Sequence, residues 1–295
     1  SELVRKDPTP LTLEKVLKCL SNPWLANEKE VTRQRTLKST VGILQTYHEV
    51  VAPTPEDTFF VLGSILGYLV PRCTDPCASI RQDALSGVQT TLSIASKFQS
   101  ETTDPKNDNL DKAFDVLTQR AEDDESNVLF TVANDLAKVL AKKVTSDQLS
   151  FLINGLIEAL SDVQSHSSSG ACVVLNSLFR IRGAELGGEI PSLASTLHGK
   201  LPAITHVKTR TGTLRCFRTI ASHHLVPLLK TLLDFPLPMD WDTVDIWKTL
   251  GGEPTLVPEV LDHLVNLLNV TLPYQEKETK GKTTTRTATV LAMAV

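Results

Sequence analysis

Thr74-Asp75-Pro76-Cys77-Ala78-Ser79-Ile80-Arg81-Gln82-Asp83-Ala84-Leu85 decides how the rest of the chain is read. Asp75-Pro76 closes a turn and opens a helix, because a proline in the first turn lacks only an N–H that has no intrahelical partner there. Ile80, Ala84 and Leu85 then fall on one helical stripe, which Val88 and Leu92 continue. Arg81 sits at the edge of that stripe, where its guanidinium reaches a carboxylate or the carbonyls that end a neighbouring helix.

The same frame recurs. Arg33-Gln34-Arg35-Thr36-Leu37 matches Arg81-Gln82-Asp83-Ala84-Leu85, and Arg210-Thr211-Gly212-Thr213-Leu214 fits it downstream. Weaker matches centre on Leu129 and Ser168. The register residues 33, 81, 129, 168 and 210 are 48, 48, 39 and 42 apart, close to the ~40–47-residue period of stacked two-helix repeats. Asp75, Pro76, Ile80, Arg81 and Ala84 at this spacing resemble the second helix of a HEAT repeat. The fold class expected is all-α, a right-handed α-α superhelix of HEAT or armadillo type with about five to six helix pairs. One helix pair exposes an apolar face on each side, and stacking removes both from water. Stability is then expected to spread over nearest-neighbour interfaces.

Helical rhythm supplies the pairs. Residues 11–20 are answered by 28–50, with Val31, Leu37, Val41 and Leu44 inward. Thr54-Pro55-Glu56-Asp57 opens a helix running to Leu69. The polar stretch 99–109 is a loop, and 110–120 with 127–143 forms the third pair. Residues 146–160 with 165–181 and 191–201 with 207–222 follow, and a short helix covers 225–233. Phe235-Pro236-Leu237-Pro238-Met239-Asp240 is an extended elbow, because two prolines exclude helix. A helix over 240–250 offers Trp241, Val244 and Trp247 for burial, and a last amphipathic helix covers 257–268.

The elbow narrows the resemblance. Pro236, Pro238 and Asp240, then Trp247-Lys248-Thr249-Leu250, the Leu-rich helix after Leu256 and Leu272-Pro273-Tyr274 are similar to the maestro heat-like repeat family. The match is most specific over 225–275 and follows helix rhythm over 1–225. It implies an α-solenoid that serves as an interaction scaffold, a longer parent chain, and no catalytic residues. Residues 1–275 are read as the solenoid, and 276–295 as a charged, Thr-rich tail followed by the start of a further helix.

Composition excludes several classes. Apolar residues make up 41% and aromatics only 5% of 295 residues, which suits helix-on-helix packing. A net charge of −4 argues against a general phosphate-backbone binder, so no nucleic acid is expected. Five cysteines at irregular spacing (19, 73, 77, 172 and 216) read as reduced thiols of a cytoplasmic protein. The apolar run over 59–70 is too short and too broken to span a membrane.

Chemical motifs are sparse. Cys73 and Cys77 lack a second ligand pair for zinc. His223-His224 point about 100° apart on a helix, and with His198 and His206 they lack acids or thiols at ligand spacing. Gly63-Ser64-Ile65-Leu66-Gly67 is no nucleophile elbow, and its glycines suit a close helix–helix approach. No cofactor is expected. A candidate partner-binding basic ridge comprises Arg33, Arg35 and Lys38 on one helix and Lys208, Arg210, Arg215 and Arg218 on another. It suits an acidic protein partner or a membrane surface, whereas the same arginines at recurring positions also suit bonds between repeats. The function expected is a non-enzymatic protein–protein interaction scaffold. The alternative is a peripheral membrane or organelle adaptor that uses the basic ridge.

Overall fold

A computed structural model describes residues 2–21, 24–54, 56–99, 108–271 and 280–295. Among them every regular element is an α-helix or a 3₁₀ turn, and no strand occurs. The fold is all-α. The chain divides into two compact units, Ser1–Ser177 and Leu178–Val295.

The first unit holds α1 (Glu2–Lys6), α2 (Pro10–Ser21), α3 (Glu30–Val50), α4 (Leu62–Leu69), α5 (Ala78–Phe98), α6 (Asp108–Arg120), α7 (Ser126–Lys143) and α8 (Ser146–Ala159), with most of α9 (Ser165–Arg182). Second helices α3 and α5 pack side by side, as successive repeats require. Their buried stripes hold Leu37, Val41 and Leu44 on α3, and Ile80, Ala84, Val88 and Leu92 on α5. Val31 is the exception. It stands exposed, because it precedes Leu37 by six residues and so lies roughly 120° off the stripe.

The helix expected to open at Thr54 starts at Leu62 instead. Asp57 Oδ2 accepts from the Thr54 N–H at 2.7 Å and from its hydroxyl at 2.9 Å, which folds that stretch into a turn. Residue 55 lies outside the described residues. Phe59 then anchors the approach to α4, stacking on Phe98 at 5.2 Å and on Tyr47 at 6.3 Å between ring centroids. Pro76 sits just ahead of the helix, whose N-cap is Cys77, and not in its first turn.

One contact departs from strict neighbour-to-neighbour stacking. First helix α4 of the second pair packs directly on first helix α8 of the fourth, with no helix of the third pair between them. Glycine makes this possible. A Cβ on Gly155 would lie 2.6 Å from Gly67 Cα, and one on Gly63 would lie 2.1 Å from the Gln148 carbonyl oxygen. Gly63 N–H also donates to Gln148 Oε1 at 3.2 Å.

The second unit continues with α10 (Ile190–Lys200), α11 (Val207–Leu233), α12 (Trp241–Gly251), α13 (Val257–Thr271) and α14 (Lys280–Ala294). The break expected after Ser222 is a kink inside α11 at His224, whose φ of −142° and ψ of 56° leave the helical region. Pro227 explains it, since its ring clashes with the carbonyl four residues earlier. Beyond the kink, Leu228, Leu229 and Leu232 are buried. The elbow 235–240 is non-helical as its prolines demand, and Asp240 Oδ1 accepts from the Thr243 N–H at 2.7 Å to start α12. Trp247 is buried but Trp241, six residues earlier and off the stripe of Thr243, Ile246, Trp247 and Leu250, is 82% exposed. In the tail, α14 begins at Lys280 within the Thr-rich stretch, ahead of the apolar run, and 272–279 lie outside the described residues.

Candidate interaction surface

The turns between paired helices are the most ordered polar feature of the first unit. Six residues before each of the first four register residues stands an Asn or Asp: Asn27, Asp75, Asp123 and Asp162. Each accepts from the backbone N–H two residues on. The partners are Lys29 at 3.0 Å, Cys77 at 3.1 Å, Glu125 at 2.8 Å and Gln164 at 2.8 Å. Each side chain thereby makes the turn that aims its following helix, which is what short Asx side chains do best.

The register arginines fasten these turns. Arg33 Nη1 donates to the carbonyls of Asn27 at 3.0 Å and Glu28 at 2.9 Å, within its own pair. Its other face donates to the next pair, Nε to Asp75 Oδ2 at 2.9 Å and Nη2 to Asp75 Oδ1 at 3.0 Å. Arg81 repeats the pattern. Its Nη1 donates to the carbonyls of Asp75 at 2.8 Å and Pro76 at 2.9 Å. Its Nε reaches the Ala121 carbonyl at 2.6 Å, and Nη2 reaches Asp124 Oδ1, also at 2.6 Å.

The next register residue is Leu129, so the fourth turn takes its cation from elsewhere. Arg72, in the 3₁₀ turn Val70–Thr74, donates to Asp162 and, at 3.4 Å, to Asp75. Thr74 adds a bond from its hydroxyl to the His166 carbonyl at 3.0 Å. Arg33, Asp75, Arg72 and Asp162 are all buried. Charges taken so far out of water persist only when paired and hydrogen-bonded, and each of these has an ionic partner.

In the second unit Arg210 donates to Asp242 at 2.6 Å, to Asp245 at 2.8 Å and to the Leu201 carbonyl at 3.3 Å. The bond to Asp245 raises the Arg210 pKa against the opposing effect of burial, with the bond to Asp242 adding to it. Arg218 pairs with Glu253 at 2.8 Å. At the elbow, His198 packs at a tilt against Phe235 with centroids 4.4 Å apart, and its Nε2 lies 3.0 Å from Thr243 Oγ1 and 3.3 Å from Asp240 Oδ1.

The seven ridge residues therefore divide. Arg33, Arg210 and Arg218 are bonded within the chain, whereas Arg35 and Lys38 on α3 and Lys208 and Arg215 on α11 face solvent. The Asp75 and Arg81 positions of the repeat signature form the clasp itself, with Ile80 and Ala84 fully buried beneath it and Pro76 exposed at its rim. Pro236 and Pro238 lie exposed in the elbow, Asp240 starts α12, and Trp247 is buried below. Sequence reading found the arginines and Asp75, but not that Asn27, Asp123 and Asp162 hold the same place in their turns.

The residues weighed for chemistry have local roles. Burial pushes the Cys73 thiol well up, and Cys77 Sγ lies 3.3 Å from Ser79 Oγ. His224 Nε2 lies 2.8 Å from the Gly183 carbonyl at the kink. Among the described residues no three His, Cys, Asp or Glu side chains gather as a metal site would need, and no helix is long and apolar enough to cross a membrane.

The family profile described as "Maestro, HEAT repeats" matches residues 31–261, most of the chain. The chain belongs to this family. Among Maestro heat-like repeat-containing proteins, family member 1 of Dictyostelium discoideum is 29% identical over 252 residues, covering 83% of this chain and 15% of its own length. Family member 1 of Mus musculus is 28% identical over 296 residues, covering 100% of this chain and 18% of its own. The Homo sapiens member 1 is 27% identical, with the same coverage. The chain thus spans less than a fifth of the length of these curated relatives. No solved structure matches.

Proposed function

We propose that this Maestro HEAT-repeat chain is a non-enzymatic protein–protein interaction scaffold, one stretch of a longer helical array. The division of its basic residues carries the reading. The arginines that tie turns together are consumed internally, while Arg35, Lys38, Lys208 and Arg215 hold their charges outward on second helices. Long charged side chains presented on rigid helices suit an acidic partner segment, since the scaffold has already met the cost of ordering its own surface. Five cysteines that form no disulfide, three of them buried, suit a cytoplasmic setting.

The test is affinity capture with the chain as bait, at low and high salt. Charge-driven partners are lost from an Arg35→Glu/Lys38→Glu or a Lys208→Glu/Arg215→Glu variant. Capture that ignores both salt and all four substitutions removes these two basic patches from the account.

The second reading is a peripheral membrane adaptor, favoured by Val207, 79% exposed beside Lys208. It predicts co-sedimentation with vesicles containing phosphatidylserine, reversed by salt and by Lys208→Glu/Arg215→Glu. Equal binding to neutral vesicles would count against it.

A further inference from the structure

Among the described residues of the second unit, the most exposed large apolar side chains are Trp241 and Val207, at 82% and 79%. They begin α12 and α11. Arg210 reaches across from α11 to Asp242 and Asp245 of α12, so the two helix starts lie side by side. Val207 precedes Arg210 by one turn and Trp241 adjoins Asp242, which brings both apolar side chains to one end of that junction. Leu214, four residues after Arg210, and Val244, three after Trp241, are half-buried and continue the apolar side. Asp240, which accepts from the Thr243 N–H, fixes the start of the helix that carries Trp241.

The charges around this apolar end are sorted by sign. The acids Asp242, Asp245 and Glu253 each face an arginine, Arg210 or Arg218. Asp240 faces His198. Lys208 and Arg215 on α11 and Lys248 on α12 stand exposed, with no acid against them among the described residues. Lys248 follows Trp241 by seven residues, two turns, and so continues its stripe. Arg215 follows Lys208 by the same interval. Uncompensated cations thus run for about 10 Å along both helices, away from the apolar end. That layout matches an elongated acidic segment laid along the helices. A bilayer touching the Trp241 tip would meet the exposed Asp240 with it and leave Arg215 and Lys248 two turns behind.

We propose that the face shared by α11 and α12 binds an acidic protein segment carrying one bulky apolar residue. That residue seats on Trp241 and Val207, while the carboxylates meet Lys208, Arg215 and Lys248. Tryptophan is among the side chains that most often dominate the energy of an interface. Here it is presented on an already fixed helix start, so little ordering is left to oppose binding. The cations add attraction at a distance and set the direction in which the segment lies. The inference rests on the reading of Lys208 and Arg215 as a surface for an acidic partner, and adds the apolar anchor that selects among acidic segments.

The test uses synthetic peptides of glutamate and serine, identical except for a phenylalanine or an alanine at one end, with that end placed at either terminus. Each is titrated against the intact chain at low salt by fluorescence anisotropy. In one of the two orientations, the phenylalanine peptide is expected to bind about tenfold tighter or more than its alanine counterpart. Trp241→Ala erases that difference, and Val207→Ser, at a second exposed site, reduces it independently. Lys208→Glu/Arg215→Glu weakens both peptides. If the two peptides bind equally and both are lost on charge reversal, the acidic-partner reading stands and the anchor is wrong. If neither binds, both fall. A phenylalanine preference that survives Trp241→Ala overturns the proposal. So does a shift of Trp241 emission, taken as the difference from Trp241→Phe, with neutral phosphatidylcholine vesicles and not with peptide, which assigns the tip to a membrane.

Discussion

Arg33 and Asp75, 42 residues apart in the chain, meet as a two-pronged fork at 2.9 and 3.0 Å, buried between the first and second helix pairs. Asp75 is at once the turn-maker of its own pair, through the Cys77 N–H, and the receiver of the arginine before it. One side chain thus couples local turn geometry to packing between repeats.

Removing that carboxylate takes the fork from Arg33, which keeps only carbonyls, and the longer of two ion pairs from Arg72, both away from water. Asp75→Ala is expected to cost about 3–5 kcal/mol, as breaking a buried pair does. Arg33→Lys keeps the charge but loses the fork and is expected to cost less. Urea unfolding of the two variants checks the order, and a reversed order contradicts the fork.

Glycine at the α4–α8 contact makes the opposite demand from glycine on an open helix. Gly155→Ala places a methyl 2.6 Å from Gly67 Cα and is expected to destabilise by about 1–3 kcal/mol, overpacking outweighing the better helix propensity. Gly42→Ala on α3 meets nothing within 4 Å and is expected to stabilise by roughly 0.5–1 kcal/mol. Thermal melts of the pair separate helix propensity from close approach.

Acid should weaken the fold through two histidines. Burial lowers the pKa of His48 and of His263 below the ordinary 6.5, with Lys97 adding to the first and Lys230 to the second. Below pH about 6.5 the unfolded chain takes up protons that these folded sites resist, so stability present above that pH declines as pH falls towards the folded values. His48→Gln and His263→Gln are each expected to flatten the fall in Tm between pH 7.5 and 5.5 (a range set by the ordinary histidine pKa). An unchanged slope in both contradicts this assignment.

In the second unit, Asp242→Ala/Asp245→Ala leaves Arg210 with only the Leu201 carbonyl. The site is partly solvated, so the expected loss is about 1 kcal/mol and shrinks in high salt. A salt-independent loss of several kcal/mol would place the effect elsewhere.

Much of this was legible in the sequence. The Arg33, Arg81 and Arg210 frame located the second helices, and Pro236 and Pro238 located the elbow. The Asn27, Asp75, Asp123 and Asp162 series was equally regular but lies six residues outside the apolar frame that defines the register. It became meaningful only once each was seen to accept a backbone N–H. The α4–α8 contact was not readable, because a doublet on one helix says that two neighbours exist and not which they are. Gly63 and Gly67 announced a close approach, and only the fold named Gln148 and Gly155 as what they approach. Val31 and Trp241 were read inward because they are apolar and near a stripe. Each precedes its buried residue by six positions, which turns it to solvent.

A double-mutant cycle joining Arg33→Met and Asp75→Leu, followed by urea unfolding, tests the turn-to-turn clasp most directly. The account predicts a coupling of about 2 kcal/mol or more, with the double variant more stable than the sum of the singles allows, because each single change takes from a buried charge its two-pronged partner. Losses that add to within about 0.5 kcal/mol would contradict it, placing the two side chains in separate roles.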